Sequence, residues 1–236
     1  MKHSFIDRYA DLDSPLHLLE ARSKIIGFTA LIAAVLLIPP GSGTAFMLFF
    51  FLAAVLMGVS QIPLSYIVGR TLLILPFVLL AGIAAPWRDD AGFVRITTLL
   101  MRSSLCLILL VVFTNTTRFT ELLRGLKKLG CPRILVLNLG FLYRYLFVLT
   151  DEVMRMKLAR DSRRVGRLPA RRELRLLGSM LGSLLVRSFE RAERMYQAML
   201  SRGYALDFPV LAPRRFTARD IVFLGVVASF VYGVLR

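Results

Sequence analysis

Residues 171–203, RRELRLLGSMLGSLLVRSFERAERMYQAMLSRG, combine a helical pattern of apolar residues with a high density of arginine. Apolar or small residues recur here at spacings of three and four, which is the period of one face of an α-helix. They are Leu174, Leu177, Leu181, Leu184, Ser188, Ala192, Met195 and Met199. Because Gly203 readily adopts a left-handed C-cap, the pattern predicts a long amphipathic helix that ends at Arg202.

This helix belongs to a basic segment, residues 117–219, which lies between apolar runs. The segment contains 22 Lys and Arg against 8 Asp and Glu, a net charge of +14 out of +16 for the whole chain. Breakers at Gly130-Cys131-Pro132 and between Gly166 and Pro169 divide it into three helical pieces. Charge and hydrophobicity are therefore segregated along the chain.

The rest of the sequence is typical of an integral membrane protein. Of the 236 residues, 56% are hydrophobic and the mean hydropathy is +0.65, too apolar for a soluble domain of this length. Five runs are predicted to span the membrane, by length and composition: Ile25–Ile38, Thr44–Val59, Tyr66–Trp87, Ile96–Thr114 and Ile221–Leu235. A tight turn at Pro39–Gly43 is predicted to join the first two spans. We expect an all-α membrane protein with about five transmembrane helices and a cytoplasmic module of long, crossing amphipathic helices.

The distribution of Lys and Arg predicts that the N-terminus and the basic segment are cytoplasmic. The expected organisation is a leader, a four-helix transmembrane region, the basic module and a final transmembrane helix, at residues 1–24, 25–116, 117–219 and 220–236. A sixth apolar run, Ile134–Leu149, has basic clusters on both flanks, so we expect it to lie against protein or at the interface rather than to cross. Arg102 lies within the fourth span and must either snorkel to the outer surface or contact a partner helix.

Gly178 and Gly182 form a patch of small residues at which another helix can approach closely. We expect the two long helices of the basic module to cross there.

Motifs for catalysis and for cofactor binding are missing from the sequence. It contains no G-x-x-x-x-G-K-[ST], so the chain is not expected to bind ATP through a P-loop of its own. His3 and His17 are the only histidines, and we predict no metal site from them. Cys106 and Cys131 stand in unlike contexts, which argues against a disulfide framework. We therefore expect a non-catalytic chain without a cofactor.

Four short stretches resemble a known family: Asp7–Ala10, Asp13–His17, Arg22–Lys24 and Gln197–Tyr204. They are similar to the transmembrane T component of energy-coupling factor (ECF) transporters, most closely of the cobalt/nickel branch, and the similarity extends over essentially the whole chain. The resemblance implies a scaffold in the cell membrane that joins a membrane-embedded, substrate-binding S component to two ABC-type ATPases, which bind the ATP. A small accessory membrane subunit and the lipid bilayer are further expected partners, and nucleic acid is not.

The resemblance also implies two ATPase-docking signatures at the ends of the long helices. In the family both signatures read Ala-Arg-Gly. Here they correspond to Ala159-Arg160-Asp161, with Asp in place of Gly, and Ser201-Arg202-Gly203, with Ser in place of Ala. Both keep the arginine.

Two alternatives stay open at this point. A T component that serves a vitamin-specific S component would share the same coupling design. A basic membrane tether for RNA or ribosomes would be expected to carry flexible, Lys-rich tails studded with aromatic residues rather than amphipathic helices delimited by breakers.

Overall fold

The structure, a computed structural model, describes residues 14–63, 65–66, 69–70, 72, 76, 80, 92–163, 166, 169–204 and 217–235. The helices that it delimits are α1 (Ala21–Leu37), α2 (Gly43–Ser60), α3 (Gly92–Thr116), α4 (Phe119–Lys128), α5 (Arg133–Ser162), α6 (Ala170–Ser201) and α7 (Ala218–Leu235). The described residues contain no strand, so the predicted all-α fold is confirmed. The chain divides into two compact units: the first comprises residues 1–130 and 212–236, and the second comprises residues 131–211.

Side chains from four helices, α1, α2, α3 and α7, build the core of the first unit. The buried positions in α1 to α3 recur at spacings of three and four, as expected for helices that each turn one face inward. They are Phe28, Leu31 and Val35; Phe46, Phe49 and Ala53; and Leu105, Leu109 and Val112, and Val227 joins them from α7. Phe49 and Phe230 meet edge to face with ring centroids 5.1 Å apart, a favoured aromatic geometry.

Two glycines allow close packing on α1. A Cβ atom at Gly27 would lie 2.5 Å from Cε1 of Phe223 in α7, and one at Gly125 in α4 would lie 2.8 Å from Cδ1 of Ile25. Both α7 and α4 therefore lie directly on α1. Because α4 packs on α1, it belongs to the first compact unit, and the second unit begins at Cys131.

Three described helical segments are long and apolar enough to cross a membrane: Gly43–Ser60, Ile96–Thr116 and Arg133–Ser162. The first two match the second and fourth predicted spans. Helices α1 and α7 match the first and last predicted spans and contain 17 and 18 residues. Most of the predicted span Tyr66–Trp87 lies outside the described residues.

The predicted turn between α1 and α2 is confirmed. Gly41 has φ +94°, and the hydroxyl of Ser42 donates to the carbonyl of Pro39 over 2.8 Å. The Arg102 guanidinium donates to the carbonyl of Ile38, at the C-terminal end of α1. A cation at this end of a helix interacts favourably with the helix dipole. Arg102 thus faces protein, one of the two arrangements expected from its position in a span.

Helix α5 contains the sixth apolar run, and by length and composition alone it too could cross the membrane. The prediction that it does not cross rests on the basic residues on both of its flanks. Crossing would place one of these clusters on the outer side, against the positive-inside rule.

Cysteine labelling tests the placement of α5. Cys131 precedes α5, and Ser162 is its exposed last residue. In a Cys106→Ser background, we expect a membrane-impermeant maleimide to label neither Cys131 nor, in the Cys131→Ser chain, a Ser162→Cys variant until the cells are permeabilised. Ser42→Cys, in the turn between α1 and α2, should be labelled from outside in intact cells and serves as the positive control. Labelling of only one end of α5 in intact cells would show that the helix crosses.

Candidate functional site: two arginine tips and a charge cluster

Polar side chains hold α5 and α6 together in the second unit. Nη1 of Arg187 lies 2.6 Å from Oε1 of Glu152, and the Tyr145 hydroxyl donates to the sulfur of Met195. These contacts occur in opposite order along the two helices, so α5 and α6 run antiparallel where they meet.

The predicted crossing at Gly178 and Gly182 is wrong for the described chain. A Cβ atom built on either glycine meets no described atom within 4 Å. The helices meet instead in the C-terminal half of α6, where Arg187 and Met195 find partners on α5. The patch of small residues stays open on the surface of α6.

The predicted apolar face of α6 is covered in only one half. Its half-buried residues in the C-terminal part include Leu184, Ser188, Met195 and Met199, all members of that predicted face. In the N-terminal part, Leu174 and Leu181 are 70% and 64% exposed. Neither α5 nor α6 contains a buried residue. An uncovered apolar surface of this kind marks an interaction or membrane site.

The tip of α6 presents Arg202. Arg202 is the C-cap residue, and Gly203 follows with φ +65°. The N–H of Gly203 donates to the carbonyl of Leu200 over 3.0 Å, and that of Tyr204 donates to Met199 over 3.1 Å. This is a Schellman motif, which confirms the predicted left-handed cap. Arg202 is exposed, and its guanidinium makes no hydrogen bond to any described residue.

At the tip of α5, Arg160 is hydrogen-bonded to a neighbouring carboxylate, unlike Arg202. Its Nε and Nη2 atoms donate to Oδ1 of Asp161 over 3.1 and 2.9 Å. The Arg160 side chain is 20% exposed and that of Asp161 is 42% exposed. Asp161 lies inside α5, so it does not need the left-handed backbone that Gly203 adopts. Gly166, which follows α5, has φ +78°.

The two arginines lie on opposite sides of the contact between α5 and α6. Arg160 follows Glu152 by eight residues and Arg202 follows Met195 by seven, which correspond to about 12 and 10 Å along the helix axes. Because the helices are antiparallel at the contact, these distances extend in opposite directions.

The first unit holds three buried charges, Glu20, Lys24 and Asp220, and the exposed Lys128 pairs with one of them; we call these four residues the charge cluster. Lys24 is fully buried, and its ammonium donates to the carbonyl oxygens of Thr116 and His17 over 2.8 and 3.4 Å. Glu20 is 5% exposed, and its Oε1 forms an ion pair with Nζ of Lys128 in α4.

Asp220 completes the charge cluster from the start of α7. It is 2% exposed, and its Oδ1 accepts the backbone N–H of Glu20 over 2.8 Å. Its Oδ2 accepts the N–H of Thr217 over 2.9 Å, as a residue in the first turn does when it caps a helix. One carboxylate therefore caps α7 and ties it to the segment that precedes α1.

Sequence reasoning missed this cluster, because it used Lys24 only in the overall distribution of Lys and Arg and in the stretch Arg22–Lys24, and assigned it no partner. The signal that could have indicated the cluster was the position of its charged residues in the sequence. Lys24 directly precedes the apolar residue Ile25, and Asp220 directly precedes Ile221. A charge at the very edge of an apolar run needs a partner once the run is buried.

His17 is a hydrogen-bonded core residue, and His3 lies outside the described residues. Nδ1 of His17 is 2.6 Å from the Ser14 hydroxyl, and His17 is 6% exposed. Within the described part of the chain, no group of three or more His, Cys, Asp and Glu could hold a metal ion.

Known proteins resemble this chain over most of its length. The family model described as cobalt transport protein, CbiQ, matches residues 13–210. The cobalt transport protein CbiQ of Rhodobacter capsulatus is 28% identical over 89% of this chain and 86% of that protein. The energy-coupling factor transporter transmembrane protein EcfT of Listeria innocua serovar 6a is 30% identical over 86% of each chain. The nickel permease LarQ of Lactiplantibacillus plantarum is 31% identical over 68% of this chain and 63% of that protein. Since the family match spans most of the sequence, both arginine tips and three members of the charge cluster, the chain belongs to the CbiQ family of cobalt transport proteins.

Proposed function

We propose that this chain is the transmembrane T component of an ECF-type transporter that takes up Co²⁺ or Ni²⁺. It joins a membrane-embedded S component, which selects the ion, to two ATPase subunits, which bind and hydrolyse ATP. The cobalt and nickel relatives favour a metal ion over a vitamin as the substrate.

The observation that carries this proposal is the exposed guanidinium of Arg202 on a capped helix end. The Schellman motif fixes the backbone around Arg202, so the side chain projects from a rigid tip. An arginine guanidinium is a planar fork that can pair bidentately with a carboxylate or phosphate, whereas a lysine ammonium acts as a point charge. Ser201-Arg202-Gly203 and Ala159-Arg160-Asp161 are therefore the proposed ATPase-docking tips.

The uncovered apolar surface supports the membrane side of the proposal. Leu174, Leu181 and Phe189 on α6 are 70%, 64% and 70% exposed. An S component or the bilayer would cover this surface, and Gly178 and Gly182 would let a partner helix approach closely.

The isolated chain is expected to hydrolyse no ATP. It contains no P-loop sequence, so activity should appear only when the ATPase subunits are added. Release of phosphate from ATP would be measured for the purified chain alone, the ATPases alone and the complex. Nucleotide turnover by the contaminant-free chain would contradict the scaffold function.

Arg202→Ala should weaken docking of the ATPases. Truncating one member of a buried, hydrogen-bonded charge pair costs about 2–5 kcal/mol, which corresponds to roughly one and a half to three and a half decades in Kd. Arg160→Ala should act in the same direction. Arg202→Lys keeps the charge and loses the fork, so its effect should be intermediate. Binding would be measured by titrating the ATPases onto the chain in detergent or nanodiscs.

Arg171→Ala is the matched control, because Arg171 is an exposed arginine in the first turn of α6. Its removal should change the free energy of docking by less than about 1 kcal/mol. If both tip variants bind the ATPases as tightly as this control, the tips are not docking devices.

Asp161→Asn should strengthen docking through the first tip. In the free chain the Asp161 carboxylate occupies the Arg160 fork, and this pair must open before Arg160 can bind elsewhere. Exposed ion pairs contribute about 0.2–1 kcal/mol, so the variant should raise affinity by at most roughly fivefold. The effect is measured in an Arg202→Ala background, where the first tip dominates binding. Weaker docking of Asp161→Asn would show that the carboxylate itself contacts the partner.

A further inference from the structure

The second unit is inserted into the sequence of the first, so two chain connections join them. One connection leaves α4, which ends at Lys128, and enters the second unit at Cys131. The other returns to the first unit at Ala212 and continues into α7, which begins at Ala218. Any force that reaches the first unit through the chain must arrive at these two places.

Glu20 contacts the helix of the first unit that lies next to each connection, α4 before the first and α7 after the second. Its carboxylate pairs with Lys128 at the end of α4, and its backbone N–H donates to Asp220 in the first turn of α7. Glu20 is also the N-cap residue of α1, the helix on which α4 and α7 pack. A single residue therefore links both chain connections to the first membrane helix.

The ion pair with Lys128 is important for the buried Glu20 carboxylate. Glu20 is buried, and Lys128 forms its only ion pair within the described part of the chain. Its Oε2 is buried and has no hydrogen-bond partner among the described residues. Without Lys128, the buried Glu20 carboxylate has no ion-pair partner among the described residues. At Gly125, the carbonyl carbon of Ala21 lies 3.2 Å from where a Cβ atom would be, so α4 packs against the backbone of α1 at this point.

The exposed ion pair on α6 lacks this position. Glu190 and Arg194 lie four residues apart on α6, are separated by 3.7 Å, and have side chains that are 59% and 69% exposed. That pair belongs to one helix of the second unit, so it cannot connect the chain segments that enter and leave that unit.

We infer that the Glu20–Lys128 ion pair is the contact through which movement of the ATPase-docking unit is transmitted to the membrane helices, so that ATP hydrolysis drives transport. This inference rests on the proposed function and makes Glu20 a positioning residue. Loss of the pair should uncouple the transporter: ATP is still hydrolysed, and less ion is moved for each ATP.

The test uses the full complex of this chain with its ATPases and S component in proteoliposomes. Three quantities are measured: co-purified ATPase, ATP hydrolysis and uptake of radiolabelled Co²⁺ and Ni²⁺. Glu20→Gln and Lys128→Met each remove the ion pair with little change in side-chain length. Glu20→Lys combined with Lys128→Glu restores it in reverse. Glu190→Gln is the control, because it removes the exposed pair on α6.

We expect Glu20→Gln and Lys128→Met to bind and stimulate the ATPases as the wild type does, with uptake per ATP reduced at least about fivefold, the lower end of typical coupling between distant sites. The reversed pair should recover part of that ratio, and Glu190→Gln should not change it. If Glu20→Gln does not accumulate in the membrane, Lys128→Met alone tests the inference. The Lys128 side chain is 39% exposed, so it tolerates replacement better than the buried Glu20.

An unchanged ratio of uptake to hydrolysis in Lys128→Met would overturn the inference. So would a parallel loss of assembly, hydrolysis and uptake that the reversed pair does not recover, because that pattern marks a purely structural role. A wild-type chain that binds no ATPase would overturn the proposed function first, so the two failures are distinguishable.

Discussion

The fully buried ammonium of Lys24 is the constraint around which the first unit is organised. A buried charge is tolerated only where hydrogen bonds replace its water, and Lys24 obtains them from the carbonyls of Thr116 and His17. These bonds bring the end of α3 and the segment before α1 to one point. The carboxylate of Glu20 binds Lys128 at the end of α4, and the backbone N–H of Glu20 donates to Asp220 at the start of α7. The apolar core can therefore form with its helices in register.

The second unit, in contrast, has no buried core in its two helices. Its two helices, of 30 and 32 residues, bury no side chain, although long helices normally gain most of their stability from packing. Their contact depends on Glu152 with Arg187 and Tyr145 with Met195. This unit has a charged end at each tip and an apolar surface between them, which suits an element that partners complete. Segregation of charge and hydrophobicity in the sequence reflects this division of roles.

Local features were predictable from the sequence, and distant contacts were not. The helical pieces, the turn at Pro39 and the cap at Gly203 follow from residues within a few positions of one another. The hydrogen bond from Glu20 to Asp220 joins residues 200 positions apart, and no local pattern indicates it. Gly178 and Gly182 indicated a place where a helix can approach, but α5 meets α6 elsewhere, at Arg187 and Met195. Arg102 had to face protein or water, and only the structure shows that its acceptor is the carbonyl of Ile38.

Site-specific photocrosslinking tests the central claim most directly, because it reports contact without requiring that function be lost. A photoreactive amino acid would replace Arg202, Arg160 or, as a control, the exposed Arg171 in the assembled complex. The account predicts crosslinks from positions 202 and 160 to the ATPase subunits, and none to them from position 171. Crosslinks only to lipid, or to the ATPases equally from all three positions, would contradict the assignment of the arginine tips as docking elements.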